Sequence, residues 1–353
     1  MSLAEIGFTD IQRIYANDNN LNISNIGRAI IVHKNHYLIR TDSGELKAIV
    51  TGNFQHTTKN KTEWPVVGDW VHFQNYDNSN AVITQIFPRV NCLERRAVAR
   101  TGEKQVIASN VDYGIIVESV YNNFNLNRIE RHLEICKSAK IKPLIILTKI
   151  DLISTENKQN IISSIRKRIE NISVYAVSNK TKIGLKEIVK NLVKEKTYCL
   201  LGLSGVGKSS LLNNLASSAN MKTNALSKST KKGVHTTSHR QLFLLDNGSI
   251  LIDNPGMREV GLVDSENGIK SHHNKIDELA YDCRFSDCTH IHEIDCAVLT
   301  ELKNGTLSQA VYDNYIKLKK EKDFFSATLI EKKRKERSLG KMYKQFKKNK
   351  SVN

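Results

Sequence analysis

Residues 202–210 constrain the fold of this chain more than any other stretch. They read GLSGVGKSS and lie between two apolar runs, which places a glycine-rich turn between a strand and a helix. The spacing of Gly202, Gly207, Lys208 and Ser209 is that of a Walker A phosphate-binding loop. Glycines allow successive backbone N–H groups to face phosphate oxygens, and the N-terminus of the following helix adds a favourable dipole. We therefore predict a nucleotide-binding α/β domain.

The loop residues have distinct predicted roles. The Lys208 ammonium is expected to contact the β- and γ-phosphates, and the Ser209 hydroxyl to bind Mg²⁺, so both are predicted catalytic residues. A glycine turn that binds no ligand is the structural alternative. The loop residues that we predict to bind the nucleotide are Gly202, Leu203, Ser204, Gly205, Val206, Gly207, Lys208, Ser209 and Ser210.

Residues 148–151, TKID, follow an apolar run and indicate the identity of the base. The Asp151 carboxylate can accept hydrogen bonds from guanine N1–H and the exocyclic amine, and adenine offers neither donor. We therefore predict GTP and GDP as ligands. An ordinary charged loop is one alternative, and a P-loop ATPase, which Asp151 opposes, is another. The residues assigned to the base are Thr148, Lys149, Ile150 and Asp151, with Ser178 and Asn179 after the next strand.

Two further segments fit the switch regions of a nucleotide hydrolase. Asp253 follows an apolar run, where a carboxylate can hold Mg²⁺ through water, and the Gly256 N–H can sense the γ-phosphate. The Lys-rich stretch 222–239 contains Thr236 and Thr237 and is predicted to bind nucleotide. We expect Thr237 to close on Mg²⁺ only when the γ-phosphate is present.

Met257 stands where many GTPases place the glutamine that orients the attacking water. A thioether cannot position water as an amide does, so we predict slow intrinsic hydrolysis and a need for another group. His235, within the first switch region, is the candidate catalytic residue for that task. A surface histidine that contacts phosphate or RNA is the alternative.

The order of these motifs is unusual. The base-specifying segment precedes the phosphate-binding loop and the Asp253 segment comes last, whereas common GTPases begin with the phosphate-binding loop. Alternating strand-like and helix-like runs across residues 105–265 predict a doubly wound parallel sheet. A circularly permuted chain, opened after the second switch, can still build that sheet. The second switch would then continue directly into the C-terminal segment.

The runs 27–40, 45–52, 66–73 and 80–87 have a different pattern. They are short, rich in Ile, Val, Tyr and Trp, and separated by turn residues, which predicts a small all-β barrel. The aromatic residues of this region either stack on nucleic-acid bases or fill the core. These aromatic residues are Tyr37, Phe54, Trp64, Trp70 and Phe73.

Two segments flank the predicted barrel. Residues 1–25 are polar with a few apolar positions, and we expect a loosely attached helix or arm. Residues 89–105 have the composition of a connector that carries four arginines. Those arginines are either solvated or in contact with an RNA backbone.

The charge balance favours a polyanionic partner. Lys and Arg number 53 against 36 Asp and Glu, a net charge of +17, and basic residues dominate from residue 331 onward. RNA or DNA is the first expectation, while generic basicity and a solvated tail are the alternatives. The chain has no apolar run of the ~20 residues that a membrane span needs and no signal-peptide pattern. With cysteines too unevenly spaced for a disulfide scaffold, we expect a cytoplasmic protein without a membrane partner.

Three cysteines crowd into residues 283–296 in the pattern C-x4-C-x-H-x5-C. Three thiolates and one imidazole match a structural zinc ion with closed tetrahedral coordination. Ordinary thiols in a helix-rich region are the alternative. The predicted ligands are Cys283, Cys288 and Cys296, with His290 or its rival His292.

Taken together, the chain resembles the ribosome small-subunit-dependent GTPase A family (RsgA/YjeQ-like) of circularly permuted GTPases. The resemblance extends from about residue 27 to the last helix. The motifs that carry it are VVGDWV (66–71), QVIASNVD (105–112), TKID (148–151), GLSGVGKSS (202–210), GVHTTSHR (233–240), DNPGMRE (253–259) and CRFSDCTHIHEIDC (283–296).

This resemblance implies a multidomain fold with an OB-fold barrel, a central α/β P-loop GTPase domain and a C-terminal helical zinc-binding domain, with His290 as the nitrogen ligand. The corresponding boundaries are an arm at 1–25, the RNA-binding barrel at 26–104, the permuted GTPase domain at 105–265, and the zinc domain with its basic tail at 266–353. It also implies GTP hydrolysis stimulated by the small (30S) ribosomal subunit during late maturation of that subunit.

We accordingly expect a monomer whose partners are the small subunit, its rRNA and other assembly factors, with hydrolysis driving release. The alternative is a non-catalytic rRNA-binding scaffold in which GTP is structural. Three positions depart from the family pattern without changing a charged or metal-binding role. Thr148 replaces the usual Asn, Asn254 the common Thr, and Ser238 the third Thr of the first switch.

Overall fold

The computed structural model describes residues 2–33, 36–52, 54, 60–96, 104–121, 124–217, 240–253 and 274–326 of the chain. These residues belong to two compact units, residues 1–260 and residues 261–353. The finer boundaries expected after residues 25, 104 and 265 stay predictions.

Five strands of the first unit close into a barrel, as the sequence predicts. They are β1 (Ile26–Val32), β2 (Tyr37–Arg40), β3 (Glu45–Val50), β4 (Trp70–Asn75) and β5 (Asn80–Ile86). Their order is β1-β2-β3-β5-β4, and β4 pairs back on β1. Two expected runs are shorter than predicted. Residues 27–40 form two strands because the chain reverses where the His33 N–H bonds the His36 carbonyl, and the run 66–73 becomes a strand only at Trp70.

The aromatic residues of the barrel are packed in two hydrophobic clusters. Trp70 is buried in a cluster with Phe8 and Phe87, whereas Tyr37 and Phe73 are buried in the barrel interior among the aliphatic side chains of the strands. Phe54 and Trp64 are half-buried against the same core, with ring centroids 6.2 Å apart in an edge-to-face contact. Of the two alternatives for these residues, core packing therefore holds for the three buried rings.

The N-terminal segment is packed into the first unit, and the expectation of a loosely attached arm is wrong in this respect. It contains helix α1 (Asp10–Asp18), which begins with a capping box between Thr9 and Gln12. Leu3, Ile6 and Phe8, which precede the helix, are buried in a cluster that includes Trp70 and Phe87. Burial of these apolar side chains holds the segment against the barrel.

The expected connector at residues 89–105 contains part of a hairpin instead. Strands β6 (Cys92–Arg96) and β7 (Lys104–Ser109) pair antiparallel. Arg89 is neither solvated nor available to RNA, because its Nε and Nη2 each lie 2.8 Å from a carboxylate oxygen of Asp69, which is fully buried. The guanidinium also donates to two backbone carbonyls, so this arginine is structural.

A second group of strands extends the sheet beyond the barrel. They are β8 (Tyr113–Ser119), β9 (Lys142–Thr148), β10 (Val174–Ala176), β11 (Thr197–Leu201), β12 (Arg240–Leu244) and β13 (Ile250–Asp253). Their spatial order is β10-β9-β8-β11-β13-β12, parallel except for β12. The strand before the phosphate-binding loop, β11, is therefore central in space although it comes late in the chain. Antiparallel pairing of β1 with β12 joins this sheet to the barrel.

Four helices accompany the parallel strands, which are buried because helices cover such sheets. These helices are α2 (Leu126–Ser138), α3 (Thr155–Arg168), α4 (Leu185–Asn191) and α5 (Lys208–Ser217). The core between strands and helices includes Ile115, Ile146, Leu200, Leu211 and Leu251, all fully buried. The predicted alternation of strands and helices is confirmed.

The second unit is helical where it is described. Its helices are α6 (Asn274–Tyr281), α7 (Ala297–Lys303) and α8 (Gln309–Ser326), and Ile276, Val298 and Leu318 are buried. The helical character expected of this domain is present in these elements, whereas the basic tail from residue 331 onward lies outside the described residues. Among the described helices of the chain, none is long and apolar enough to cross a membrane.

Candidate nucleotide site and metal centre

The Walker A residues form a loop that leads from β11 into α5. Gly202 has φ +139°, and a Cβ there would collide with the Val117 carbonyl of the neighbouring strand. Gly207 has φ +102°, and the side-chain amide of Asn179 lies 2.9 Å from the place a Cβ would take. Both glycines are therefore required by the close approach of other segments to the loop.

Lys208 begins α5, and its side chain folds back over the loop. Its Nζ donates to the carbonyls of Gly202 and Leu203, each at 2.6 Å. Burial lowers the pKa of Lys208, and the charge of Asp253 opposes that shift. The loop thus holds an ammonium group beside the positive end of a helix dipole, which is the electrostatic environment that a polyphosphate needs.

Thr148, at the end of β9, is fully buried and contacts the phosphate-binding loop. Its hydroxyl lies 2.5 Å from the Val206 carbonyl and 3.3 Å from that of Glu118. Because a hydroxyl has one proton to donate, the shorter contact is the hydrogen bond. The first residue of the TKID segment therefore joins the base-specifying segment to the loop.

The next residues expose the carboxylate that the sequence assigns to the base. Lys149 adopts a left-handed backbone at φ +62° and caps the single 3-10 turn Ile150–Leu152, which carries Asp151 at the surface. The buried Ser178 hydroxyl donates to Asp151 Oδ1 at 2.6 Å, so one carboxylate oxygen has a fixed partner. This contact orients the Asp151 carboxylate.

Asn179 brings the segment after β10 to the same place. Its side-chain amide donates to the Gly207 carbonyl at 3.0 Å, and its own carbonyl accepts a hydrogen bond from Asn214 of α5 at 3.0 Å. Sequence reasoning missed Asn214. Its contact partner lies 35 residues upstream, so no local spacing marks it as part of the site.

The structure describes some of the remaining predicted site residues, and others lie outside the described part of the chain. Asp253 ends β13 in a buried position, and Ser209 and Ser210 lie exposed on the first turn of α5. The switch residues that lie outside the described part of the chain are His235, Thr236, Thr237, Gly256 and Met257. Their roles stay predictions.

The second unit contains a metal-ligating cluster. The ligand atoms of Cys283, Cys288, His290 and Cys296 all lie within 4.8 Å of one another. The sulfurs of Cys283 and Cys296 lie 3.8 Å apart, and they lie 3.6 and 3.5 Å from Nδ1 of His290. A tetrahedron with Zn–S about 2.3 Å and Zn–N about 2.0–2.1 Å has edges of about 3.8 and 3.6 Å. The donor set therefore fits zinc, and the exposed His292 is not part of it.

The loops of this cluster are held by hydrogen bonds and by backbone conformation. His290 adopts a left-handed backbone at φ +63°, and its carbonyl accepts from the Tyr312 hydroxyl of α8 at 2.7 Å. The Glu293 carboxylate accepts from the N–H groups of Thr289 and Ile291 at 3.0 and 2.9 Å. Burial lowers the pKa of His290, which favours the neutral imidazole that a metal requires.

Comparisons with known proteins agree with this geometry. The model of the RsgA GTPase family matches residues 86–263. The small ribosomal subunit biogenesis GTPase RsgA 1 of Bacteroides thetaiotaomicron is 38% identical over 325 residues, 92% of this chain and 91% of the relative. Among solved structures, YjeQ from Thermotoga maritima matches with a TM-score of 0.61 and 25% identity over 84% of this chain and 98% of its own.

A second solved structure bears on the order of the motifs. YloQ, described as a circularly permuted GTPase, matches with a TM-score of 0.60 and 27% identity, covering 84% of this chain and 95% of its own. The predicted permutation and the resemblance drawn from the motifs are confirmed. On the matched residues and the identity over nine-tenths of its length, this chain belongs to the RsgA GTPase family.

Proposed function

We propose that this protein hydrolyses GTP on the small ribosomal subunit during its late maturation, and that hydrolysis releases the protein together with other assembly factors. The observation that carries the proposal is the meeting of three segments at one loop: Thr148 and Asn179 bond the carbonyls of Val206 and Gly207, next to Lys208. The site of action is inferred from relatives that match most of the chain and are named small ribosomal subunit biogenesis GTPases.

In this proposal, each residue of the nucleotide site has a defined task. Lys208 contacts the β- and γ-phosphates, while Ser209 and Thr237 hold Mg²⁺, which Asp253 contacts through water. When bound, Mg²⁺ neutralises charge that develops on the transferred phosphoryl group. Asp151, fixed by Ser178, selects guanine. The remaining predicted nucleotide contacts are Lys149, Ile150, the other loop residues from 202 to 210, Thr236 and Gly256.

His235 is our candidate for the group that accelerates hydrolysis, because Met257 cannot orient water. Turnover stimulated by small subunits should therefore fall in a His235→Ala variant. Full stimulated turnover in that variant would remove His235 from the mechanism.

The partner side of the proposal rests on charge. A net charge of +17 favours rRNA, and the barrel and basic C-terminal residues are its expected binding surfaces. We also propose a cytoplasmic monomer and one structural zinc ion held by Cys283, Cys288, His290 and Cys296, whose donor geometry supports the assignment.

GTP turnover with and without purified small subunits, measured over a range of salt concentrations, tests the proposal. We expect stimulation that decreases steeply as salt rises, because binding to RNA releases counterions. The rival, a scaffold with structural GTP, predicts that a Lys208→Ala variant still completes subunit maturation. Absence of stimulation in low salt contradicts the proposal itself.

A further inference from the structure

The loops that carry the zinc ligands expose several large apolar side chains. Four large apolar side chains are exposed there, although the same unit buries Val298 and Leu318 almost completely. The exposed fractions are 89% for Tyr281, 45% for Phe285, 46% for Ile291 and 75% for Ile294. Scattered exposed apolar residues are ordinary, but four within fourteen consecutive residues indicate a contact surface.

Contacts within the cluster bring together the two chain segments that carry Phe285 and Ile294. The ligand atoms of the flanking cysteines and His290 lie within 4.8 Å of one another, so the two loops converge. Arg284 also connects the two loops. Its side-chain Nη1 lies 2.8 Å from Asp295 Oδ2, and its backbone N–H donates to the Asp295 carbonyl at 3.4 Å. Phe285 and Ile294 are the direct neighbours of this pair in the chain. We call Tyr281, Phe285, Ile291 and Ile294 the zinc-loop surface.

The stretch of sequence that contains the zinc-loop surface has the opposite sign of charge to that of the chain, although Lys319 of α8 contacts it with Nζ 3.5 Å from the Cys288 carbonyl. Residues 276–303 hold seven carboxylates and only two basic side chains, Arg284 and Lys303, in a protein whose net charge is +17. Arg284 is already paired with Asp295. Three thiolates around Zn²⁺ add a further negative charge. Phosphate groups would be repelled here, whereas a lysine- or arginine-rich polypeptide would be attracted.

We propose that the zinc-loop surface docks a basic polypeptide segment, with apolar side chains of the partner against Phe285 and Ile294 and its cations facing Asp282 and Asp287. The chain then contacts the small subunit in two chemically different ways. Basic regions bind rRNA, and the acidic zinc loops bind a protein. This second contact rests on the proposed function and adds a protein partner to it. The chemistry of the surface can be tested without ribosomal material.

The first test measures binding of the full-length protein to two labelled probes, a short peptide of Lys, Arg and Leu and a single-stranded RNA of similar length. The variant is Asp282→Lys with Asp287→Lys, two exposed positions of the zinc loops. The matched control is Glu156→Lys with Glu187→Lys, two exposed positions of the first unit. We expect the zinc-loop variant to lose about tenfold in peptide affinity while its RNA affinity rises, and the control to keep its peptide affinity.

The direction in which the peptide and RNA affinities change shows which of the two binds the zinc-loop surface. Unchanged peptide affinity, or an equal loss in the control pair, overturns the proposal. Zinc content measured in each variant shows whether the loops are intact. A milder variant, Asp282→Asn with Asp287→Asn, should change the peptide and RNA affinities in the same directions and disturb the loops less. If both variants lose zinc, a Phe285→Ser, Ile294→Ser variant replaces them, and retained peptide affinity there overturns the proposal.

The second test identifies the occupant on purified small subunits. A photoreactive diazirine amino acid replaces Ile294, with Ile183, 62% exposed in the first unit, as the control position. Cross-links from position 294 to a basic protein support the proposal. Cross-links to rRNA or to another copy of this chain overturn it. If the wild-type protein does not bind purified small subunits, that result contradicts the proposed function instead. The peptide measurement then decides this inference by itself.

Discussion

The Thr148 hydroxyl donates a hydrogen bond to the Val206 carbonyl across 2.5 Å. These residues are 58 positions apart in the chain, one in the base-specifying segment and the other in the phosphate-binding loop. Both are buried, so no water competes for the bond. The two halves of the nucleotide site are therefore connected through protein atoms, and the contact does not depend on a bound nucleotide.

Thr148→Val removes this hydroxyl with little change in shape. It leaves the buried Val206 carbonyl without its donor, at a cost of about 1–2 kcal/mol. We expect GDP affinity to fall by about 5- to 30-fold, measured by titration with a fluorescent GDP analogue. Thr148→Ser keeps the hydroxyl and should retain most of the affinity. Retained affinity in Thr148→Val together with a loss in Thr148→Ser would mean that the side-chain methyl, and not the hydrogen bond, is responsible.

Asp151→Asn tests the assignment of the base. A carboxylamide presents a donor to the guanine N1–H, which is also a donor, so GDP affinity should fall by more than tenfold. Xanthine has an oxygen at position 2 that can accept from the new amide, and XDP affinity should rise. Competition binding with GDP, XDP and ADP measures the change. A gain in ADP affinity instead would revive the ATPase alternative.

The sequence predicts most of the nucleotide site because its chemistry is local. Backbone N–H groups, Lys208 and the strand-to-helix turn lie within nine residues, so their spacing alone predicts a phosphate site. Asp151 is equally local to the end of its strand. Asn214 is different. It lies on α5, and its hydrogen-bond partner Asn179 lies on the loop that follows β10, so only the packing of the fold brings the two residues together.

Packing also explains the two errors in the N-terminal region. Arg89 has the same sequence context as a solvated arginine, and only the fold places the buried Asp69 opposite its guanidinium. The first residues of the chain are too polar on average to indicate a core. Leu3, Ile6 and Phe8 become buried because the barrel presents Trp70 and Phe87 to them.

Arg28→Met tests a buried cation that joins three parts of the first unit. The Arg28 guanidinium donates to the carbonyls of Ile6, Gly68 and Asn110 at 2.6, 3.2 and 3.1 Å. Burial lowers the pKa of Arg28 to about 10. The variant leaves the carbonyls of Ile6 and Asn110 without this donor, whereas the Gly68 carbonyl keeps a hydrogen bond from the Asn110 side-chain amide at 3.0 Å, so we expect a loss of about 3–5 kcal/mol in urea unfolding. Arg40→Met, which breaks a more exposed pair with Glu45, should cost less than about 1 kcal/mol.

Cys288→Ser tests the metal centre and its independence from the nucleotide site. Without a cation, burial raises the pKa of the Cys288 thiol to about 12, so a bound metal is needed to hold it as thiolate. We expect zinc content to fall to background in elemental analysis, with faster hydrogen exchange in α6 and α7. GDP affinity should be unchanged because the ligands lie in a different compact unit. Cys92→Ser, in the β6–β7 hairpin, should retain zinc, and loss of zinc there would contradict the assignment.

His132→Gln tests a pH dependence built into α2. Burial lowers the pKa of His132 to about 4, and its Nδ1 lies 2.8 Å from the Arg128 carbonyl. Between pH 6.5 and about 4 the unfolded chain binds a proton at this histidine that the folded chain does not bind, so stability falls as pH falls through that window, by roughly 3 kcal/mol in total.

In the His132→Gln variant, glutamine can keep the hydrogen bond but cannot titrate. The difference in unfolding free energy between wild type and variant should therefore shift in favour of the variant from pH 7 to pH 4. Because burial raises the pKa of Glu118 and acts in the opposite direction, only this difference, and not the wild-type profile alone, isolates His132. Parallel profiles for wild type and His132→Gln would assign the acid sensitivity to other groups.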